Sequence, residues 1–270
     1  MPPTEALRRL TGLLACPGCG APFTVTDRAL VCGRGHSFDV ARQGYVNLLG
    51  HAPPRNADTT AMCEARGRFL ASGHFAPVRE AVAHSAGSAS RVLEVGAGTG
   101  WYLAGVLDGL PHALGLATDV SVAAARRAAR AHERAASVVA DTWAGMPIRD
   151  RAVDALLCVF APRNGAEFAR VLQRGGRAVV AAPGPEHLVE LRERLGLLGI
   201  GPDKQGAIAD ALGGDFVLDT TRHVLRTMSL TAAEATWLVA MGPNAFHGTA
   251  TPIEGGDVTL DVIVTAFRRC

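Results

Sequence analysis

Residues 91–110, RVLEVGAGTGWYLAGVLDGL, run from a mainly apolar strand pattern through Gly96, Gly98 and Gly100. They continue into a segment with Leu103, Val106, Leu107 and Leu110 on one helical face. Strand, glycine turn and helix make the first βα unit of a doubly wound parallel sheet. The dinucleotide-binding turn, G-x-G-x-x-G, needs its third glycine one place later than Gly100. The order here is Glu94-x-Gly96-x-Gly98-x-Gly100. Glycines let the backbone approach a ligand, and an acid at the carboxyl end of the strand suits a cationic, amine-bearing cofactor better than a pyrophosphate. S-adenosylmethionine meets that description.

Further strand patterns follow. HALGLATDV ends in Asp119, where an acid can accept hydrogen bonds from both ribose hydroxyls beyond the strand ends, and ASVVAD ends in Asp141. VDALLCVFAP places Phe160, Ala161, Pro162, Arg163 and Asn164 over the same crevice, and RGGRAVVAAPGPEHL supplies a fifth strand. Two long strands, roughly 215 to 228 and 257 to 268, flank the helix pattern TAAEATWLVAMG. Five alternating βα units and a closing hairpin are the α/β layout of a class I S-adenosylmethionine-dependent methyltransferase, with a doubly wound seven-stranded sheet. One strand-end Asp is as readily a helix N-cap as a ligand contact. Glu94, Asp119 and Asp141 at successive strand ends favour a cofactor.

Ahead of this domain, ACPGCGAPFTVTDRALVCGRGHSF places Cys16, Cys19, Cys32 and His36 at metal-ligand spacing. Two residues separate the first pair, twelve the second and three the last, so two knuckles can close on one tetrahedral ion, zinc by ligand type. A turn signal at Asp27-Arg28 between Phe23, Val25 and Leu30 suggests a small hairpin. Four protein ligands leave no open position, so the zinc is expected to be structural. So few apolar residues would hardly fold without it. The expected organisation is a zinc-binding domain over 1–50, a helical linker over 51–85 and a methyltransferase domain over 86–270.

The chain has 270 residues, 48% of them hydrophobic, enough for a sizeable core, and its net charge of +2 does not by itself point to nucleic acid. Residues 1–70 carry eight Arg against three Asp and two Glu, a local excess of about +3. MPPTEALRRL has no apolar signal region and no apolar run spans a bilayer, so a cytoplasmic protein without a membrane partner is expected. Cys63, Cys158 and Cys270 lack motif spacing and read as free thiols.

The ligand set Cys16, Cys19, Cys32, His36 with FDVARQGYVNLL, FLASGHFAPV, LEVGAGTG, FAPRNGAEFARVL and PGPEHL resembles the ribosomal RNA (guanine-N1)-methyltransferases over nearly the whole chain. That family modifies a hairpin-35 guanine of 23S RNA near the peptide exit tunnel, and some actinomycete members confer resistance to tylosin-type macrolides. The resemblance implies zinc on the four ligands and S-adenosylmethionine touching Gly98 and Thr99. It implies that Phe75 and His187 line the same site, that 23S rRNA is the partner with 1–50 as its RNA-recognition domain, and that the chain forms a homodimer. Phe75 stands where some relatives carry a tyrosine, so a hydroxyl contact is lost while stacking can remain. Taken without the family, Phe75 suits core packing and His187 a loop.

Guanine N1 carries a proton at neutral pH, and the sequence singles out no general base. Arg163 and Asn164 lie where a base edge could be read. Glu167 and Asp154 qualify as bases only by lying near the fourth strand, and a structural role suits each better. Two other classes use the same features. A small-molecule methyltransferase of a natural-product pathway would act on metabolites free of RNA. A non-catalytic RNA-binding protein would not bind S-adenosylmethionine.

Overall fold

In the computed structural model, residues 4–197, 204–242 and 252–270 are described. The chain opens with α1 (Glu5–Leu10), capped by Thr4, whose side chain accepts from Leu7 N–H. A 3-10 turn, Thr11–Leu13, leads into three short strands, β1 (Phe23–Val25), β2 (Ala29–Cys32) and β3 (Ser37–Asp39), paired antiparallel in that order. The hairpin expected between Cys19 and Cys32 is β1 and β2, with Phe23 opposite Cys32, and β3 extends it. The two-residue strand β4 (Val46–Asn47) ends this segment.

Two helices follow, α2 (Thr60–Ala71) and α3 (Ala76–Ala86). The αβ alternation then runs β5 (Arg91–Val95), α4 (Trp101–Gly109), β6 (Leu114–Asp119), α5 (Val122–Ala128), β7 (Ala135–Val139), β8 (Val153–Val159), α6 (Gly165–Val171) and β9 (Leu172–Pro183). After α7 (Val189–Leu195) and α8 (Lys204–Leu212) come β10 (Phe216–Leu230), α9 (Ala232–Ala240) and β11 (Gly256–Arg269). α9 starts with a reciprocal capping box between Thr231 and Glu234.

The large sheet has the order β10-β11-β9-β8-β5-β6-β7-β4, parallel from β9 to β4, with β11 antiparallel to both β9 and β10. This is the class I methyltransferase order. Seven strands were expected and eight are present among the described residues, because β4 leaves the front segment and pairs in parallel with β7, Val46 opposite Val138. Without it β7 would be an open edge, which sheets tend to cover.

Alternation along β5 divides the core. Leu93 and Val95 join the cluster on one face with Leu7, Leu10, Leu14, Val46 and Leu48 of the front segment, whereas Val92 joins the cluster on the other with Phe69, Phe75 and Leu103. The metal-binding segment is therefore built onto one face and one edge of the sheet. On the other face α3 packs against β8, β9 and β11, and α2 packs against α9 and α5. Among the described residues no helix is long and apolar enough to cross a membrane.

Candidate active site and metal centre

The ligand atoms of Cys16, Cys19, Cys32 and His36 lie within 4.8 Å of one another. Cys19 and Cys32 Sγ are 3.7 Å apart, and His36 Nδ1 is 3.4 Å from Cys16 Sγ and 3.5 Å from Cys32 Sγ. A tetrahedral zinc with Zn–S bonds of about 2.3 Å has S–S edges of about 3.8 Å and slightly shorter S–N edges. The donor set matches a closed zinc site in chemistry and size. Both knuckles are turned by backbone bonds, Gly20 N–H to Cys16 O at 2.7 Å and Gly35 N–H to Cys32 O at 2.9 Å. Burial pushes the Cys32 thiol up, but backbone hydrogen bonds from Arg34 and His36 and the neighbouring thiols outweigh it and bring it down to about 6. A thiolate is the form a metal needs.

Around the sheet's switch point, all three loop glycines adopt the left-handed region: Gly96 at φ 62°, Gly98 at 54° and Gly100 at 75°. Their surroundings differ. A Cβ on Gly100 would lie 2.9 Å from Ala131 Cβ and 3.1 Å from Ala128 Cα, so this glycine serves packing of α4 against the end of α5. A Cβ on Gly98 would lie 2.7 Å from Arg66 Nη1. Arg66 reaches over the loop from α2, paired with Asp58 and donating to Met241 O at 2.7 Å.

Asp119 closes the loop from β6. Its Oδ2 accepts from Gly98 N–H and its Oδ1 from Ser121 N–H, both at 2.8 Å. Burial pushes its carboxyl up against these two bonds. A carboxylate has roughly four acceptor positions, so both oxygens keep capacity for hydroxyl donors. Asp141, just beyond β7, accepts from Trp143 N–H at 2.8 Å and faces His51 at 3.5 Å. Thr99 is half-buried between Gly98 and Gly100.

Glu94 sits beneath the glycine loop. It is 1% exposed, on the α4 side of β5, and its Oε2 accepts from Leu103 N–H at 3.1 Å. Burial pushes its carboxyl up to about 8, so it is mostly protonated at neutral pH. It fastens the glycine loop to α4 from beneath. Asn164 Oδ1 caps α6 by accepting from Glu167 N–H at 3.3 Å, and its Nδ2 donates to Thr142 O at 3.0 Å, which commits both ends of the amide to the loops. Glu167 accepts from Met146 N–H and pairs with Arg170. Asp154 accepts from Ser90 and Arg91 at the opposite, amino-terminal end of β8. Both are structural. Arg163 is half-buried and makes no hydrogen bond or ion pair among the described residues.

Phe75 and His187 come together, ring centroids 6.2 Å apart, each next to Phe160. His187 Nδ1 accepts from Asp261 N–H at 3.3 Å, which assigns the proton of the neutral ring to Nε2. Sequence reasoning missed Arg66 and Asp261, and it placed Phe160 over the crevice without giving it a role. The buried Asp261 carboxylate accepts from Glu186 N–H at 2.9 Å and contacts His223 Nε2 at 2.7 Å, so it ties the PGPEHL loop to β10 and β11. Nothing local marks it, because its partners are 38 and 75 residues away.

A zinc-ribbon family model described as RlmA, N-terminal, matches residues 14–57. A Micromonospora griseorubida protein provisionally named a 23S rRNA (guanine-N1)-methyltransferase is 48% identical over 259 residues, 87% of this chain and 87% of its own. The Streptomyces fradiae 23S rRNA (guanine(748)-N1)-methyltransferase is 45% identical over 240 residues, 87% of this chain and 86% of its own. Among solved structures, a provisionally assigned methyltransferase in complex with the Haloferax volcanii Trm112 activator superposes with a TM-score of 0.51 at 17% identity, over 78% of this chain and 98% of its own. That last likeness concerns the fold alone.

Proposed function

The chain belongs to the 23S rRNA (guanine-N1)-methyltransferases, and on that premise we propose that it methylates N1 of a guanine in hairpin 35 of 23S rRNA with S-adenosylmethionine as donor. The position named for the Streptomyces fradiae relative, guanine 748, is the proposed target, and protection against tylosin-type macrolides the proposed consequence. The observation that carries this is the joining of two sites in one body: the four-ligand ribbon lends β4 to the same sheet whose strand ends form the glycine-loop crevice. A metabolite enzyme has no need of the exposed Arg28, Arg34 and Arg42, none of which makes an ion pair among the described residues.

Gly96, Gly98 and Thr99 give the donor its backbone cradle, Asp119 accepts from the ribose hydroxyls, and Asp141 receives the adenine end. Phe75 and His187 close the opposite wall. The bound cofactor supplies an electrophilic methyl group, so most of the acceleration asked of the chain is orientation of the base in line with it. Transfer would leave S-adenosylhomocysteine and would release the guanine N1 proton to solvent, and the hairpin loop lets the guanine turn out of its stack for about a few kcal/mol.

Transfer of labelled methyl to unmodified 23S rRNA and to a synthetic hairpin, followed by primer extension, tests the proposal. Methylation of N1 blocks the Watson–Crick edge, so extension stops one nucleotide before the target. Transfer to small metabolites but not to RNA, or a stop outside hairpin 35, overturns it.

A further inference from the structure

Phe160, at the exit of β8, is one of three non-glycine residues with positive φ among the described residues, at 53°. A bulky side chain there costs on the order of 1–2 kcal/mol, and such strain concentrates where a side chain must be aimed. The surroundings hold the conformation. Phe160 N–H donates to Ala181 O at 3.0 Å on β9. Cys158, beneath, donates its thiol to Ala161 O at 3.4 Å and Pro162 O at 3.5 Å, and burial pushes that thiol up to about 12, which keeps it a donor. Ala161 Cβ lies 2.6 Å from where a Cβ on Gly96 would stand, so this turn packs directly against the cofactor loop.

The ring belongs to an aromatic cluster in which the other members are covered. Phe75 is 2% exposed and Tyr102 and His187 are each 8% exposed, whereas Phe160 is 40% exposed. Its centroid lies 6.1 Å from Phe75, 6.3 Å from Tyr102 and 6.1 Å from His187, the last with planes only 17° apart. A core role would have buried it. Strand order says which ligand faces it: Asp119 and Asp141 end β6 and β7 on one side of β5, and Phe160 ends β8 on the other. The ribose and adenine side of the crevice is thus separate from the side where Phe160 stands, with Arg163 three residues farther on.

We propose that Phe160 is the stacking platform for the target guanine, its left-handed backbone aiming the ring at the base-receiving side of the crevice. This rests on the RNA-methylating reading above. Phe160 receives a flat, extruded purine on its exposed face, and the buried cluster behind it keeps the ring from turning away. Stacking of a base on an aromatic ring contributes about 1–3 kcal/mol, or roughly 5- to 150-fold.

The experiment compares Phe160→Tyr, Phe160→Leu and Phe160→Gly with wild type in methyl transfer to the synthetic hairpin, alongside calorimetric S-adenosylmethionine affinity, zinc content and thermal melting. Tyr keeps a stacking face and retains kcat/KM within about threefold. Leu and Gly lower kcat/KM for RNA about 10- to 100-fold while cofactor affinity stays within about twofold. Gly relieves the backbone strain, so it melts no lower than Leu while being at least as inactive, an outcome that a folding role for the ring does not produce. Unchanged kinetics in Leu, equal losses in Tyr and Leu, or a parallel fall in cofactor affinity overturns the assignment. Failure of the wild-type protein to methylate the hairpin overturns the substrate reading instead.

Discussion

The ribbon and the crevice both rest on short spacings, Cys-x-x-Cys with Cys-x-x-x-His in one and Glu-x-Gly-x-Gly-x-Gly in the other, and they are held in opposite ways. In the ribbon, strands of three or four residues surround four ligand atoms, and convergence of the ligands depends on an ion. The crevice loop hangs from β5, whose last four residues are buried between two hydrophobic clusters, so its shape precedes any ligand. One site is ordered by what it binds. The other is ordered by its core and binds as a result.

The largest effect expected from that contrast is in Cys19→Ala. Structural zinc contributes apparent binding free energies of about 10–16 kcal/mol in small zinc peptides. Loss of one of four ligands should therefore take zinc content from about one per chain to near zero and abolish hydrogen-exchange protection across β1 to β3. S-adenosylmethionine affinity should stay within about threefold. Metal analysis, exchange and calorimetry check the three parts, and collapse of cofactor binding together with the ribbon would break the comparison by showing that the crevice too depends on the ion.

A second effect belongs to the crevice alone. Glu94 has its folded pKa raised by burial from 4.5 to about 8, so the folded state holds the proton more tightly than the unfolded chain. The resulting stability is fully present below pH 4.5 and is lost as pH rises through about 8, by up to about 4–5 kcal/mol. Glu94→Gln removes this dependence. Melting curves should show wild type losing ground to the variant between pH 5 and 8.5 and holding a constant difference above that. A wild-type advantage that grows with pH over this range would mean Glu94 is charged and paired in the fold.

How each region showed itself in the sequence follows from how it is built. The zinc ligands are local, so spacing alone identified Cys16, Cys19, Cys32 and His36 and the hairpin between them. The glycine loop and the strand-end Asp119 and Asp141 were legible because alternating βα units place strand ends together. What escaped depends on distant partners. β4 is two residues long and meets β7 ninety-two positions later, Val46 with Val138, which no periodicity encodes. Strand alternation could not show that Leu103 N–H lies within reach of Glu94. Nor could the sequence show that the Asn164 amide bonds to Glu167 and Thr142, or that Phe160, already placed over the crevice, has a left-handed φ.

Within the crevice, Gly98→Val and Asp119→Ala sharpen the contrast by different routes. Valine meets both the Arg66 guanidinium and a left-handed backbone, so cofactor affinity should fall about 100-fold or more. Asp119→Ala removes charge-assisted acceptors and the ties to Gly98 and Ser121, worth about 2–3 kcal/mol or 30- to 150-fold. Zinc content should be unaltered in both. Wild-type cofactor affinity in both variants would place the cofactor elsewhere.

The smallest effect should come from the ribbon's surface, where Arg28, Arg34 and Arg42 are exposed and make no ion pair among the described residues. Replacing all three with Gln should leave zinc, melting temperature and S-adenosylmethionine affinity unchanged and raise KM for the hairpin. Each phosphate contact releases a counterion, so three lost contacts lower the slope of log K against log salt by about 2–3. A single engaged arginine still lowers it by about 0.7–0.9. Titrating hairpin binding across 50–300 mM salt measures that slope directly. A triple variant with the wild-type slope and intact zinc would reduce the ribbon to a support for the β7 edge, with RNA held by the crevice side alone.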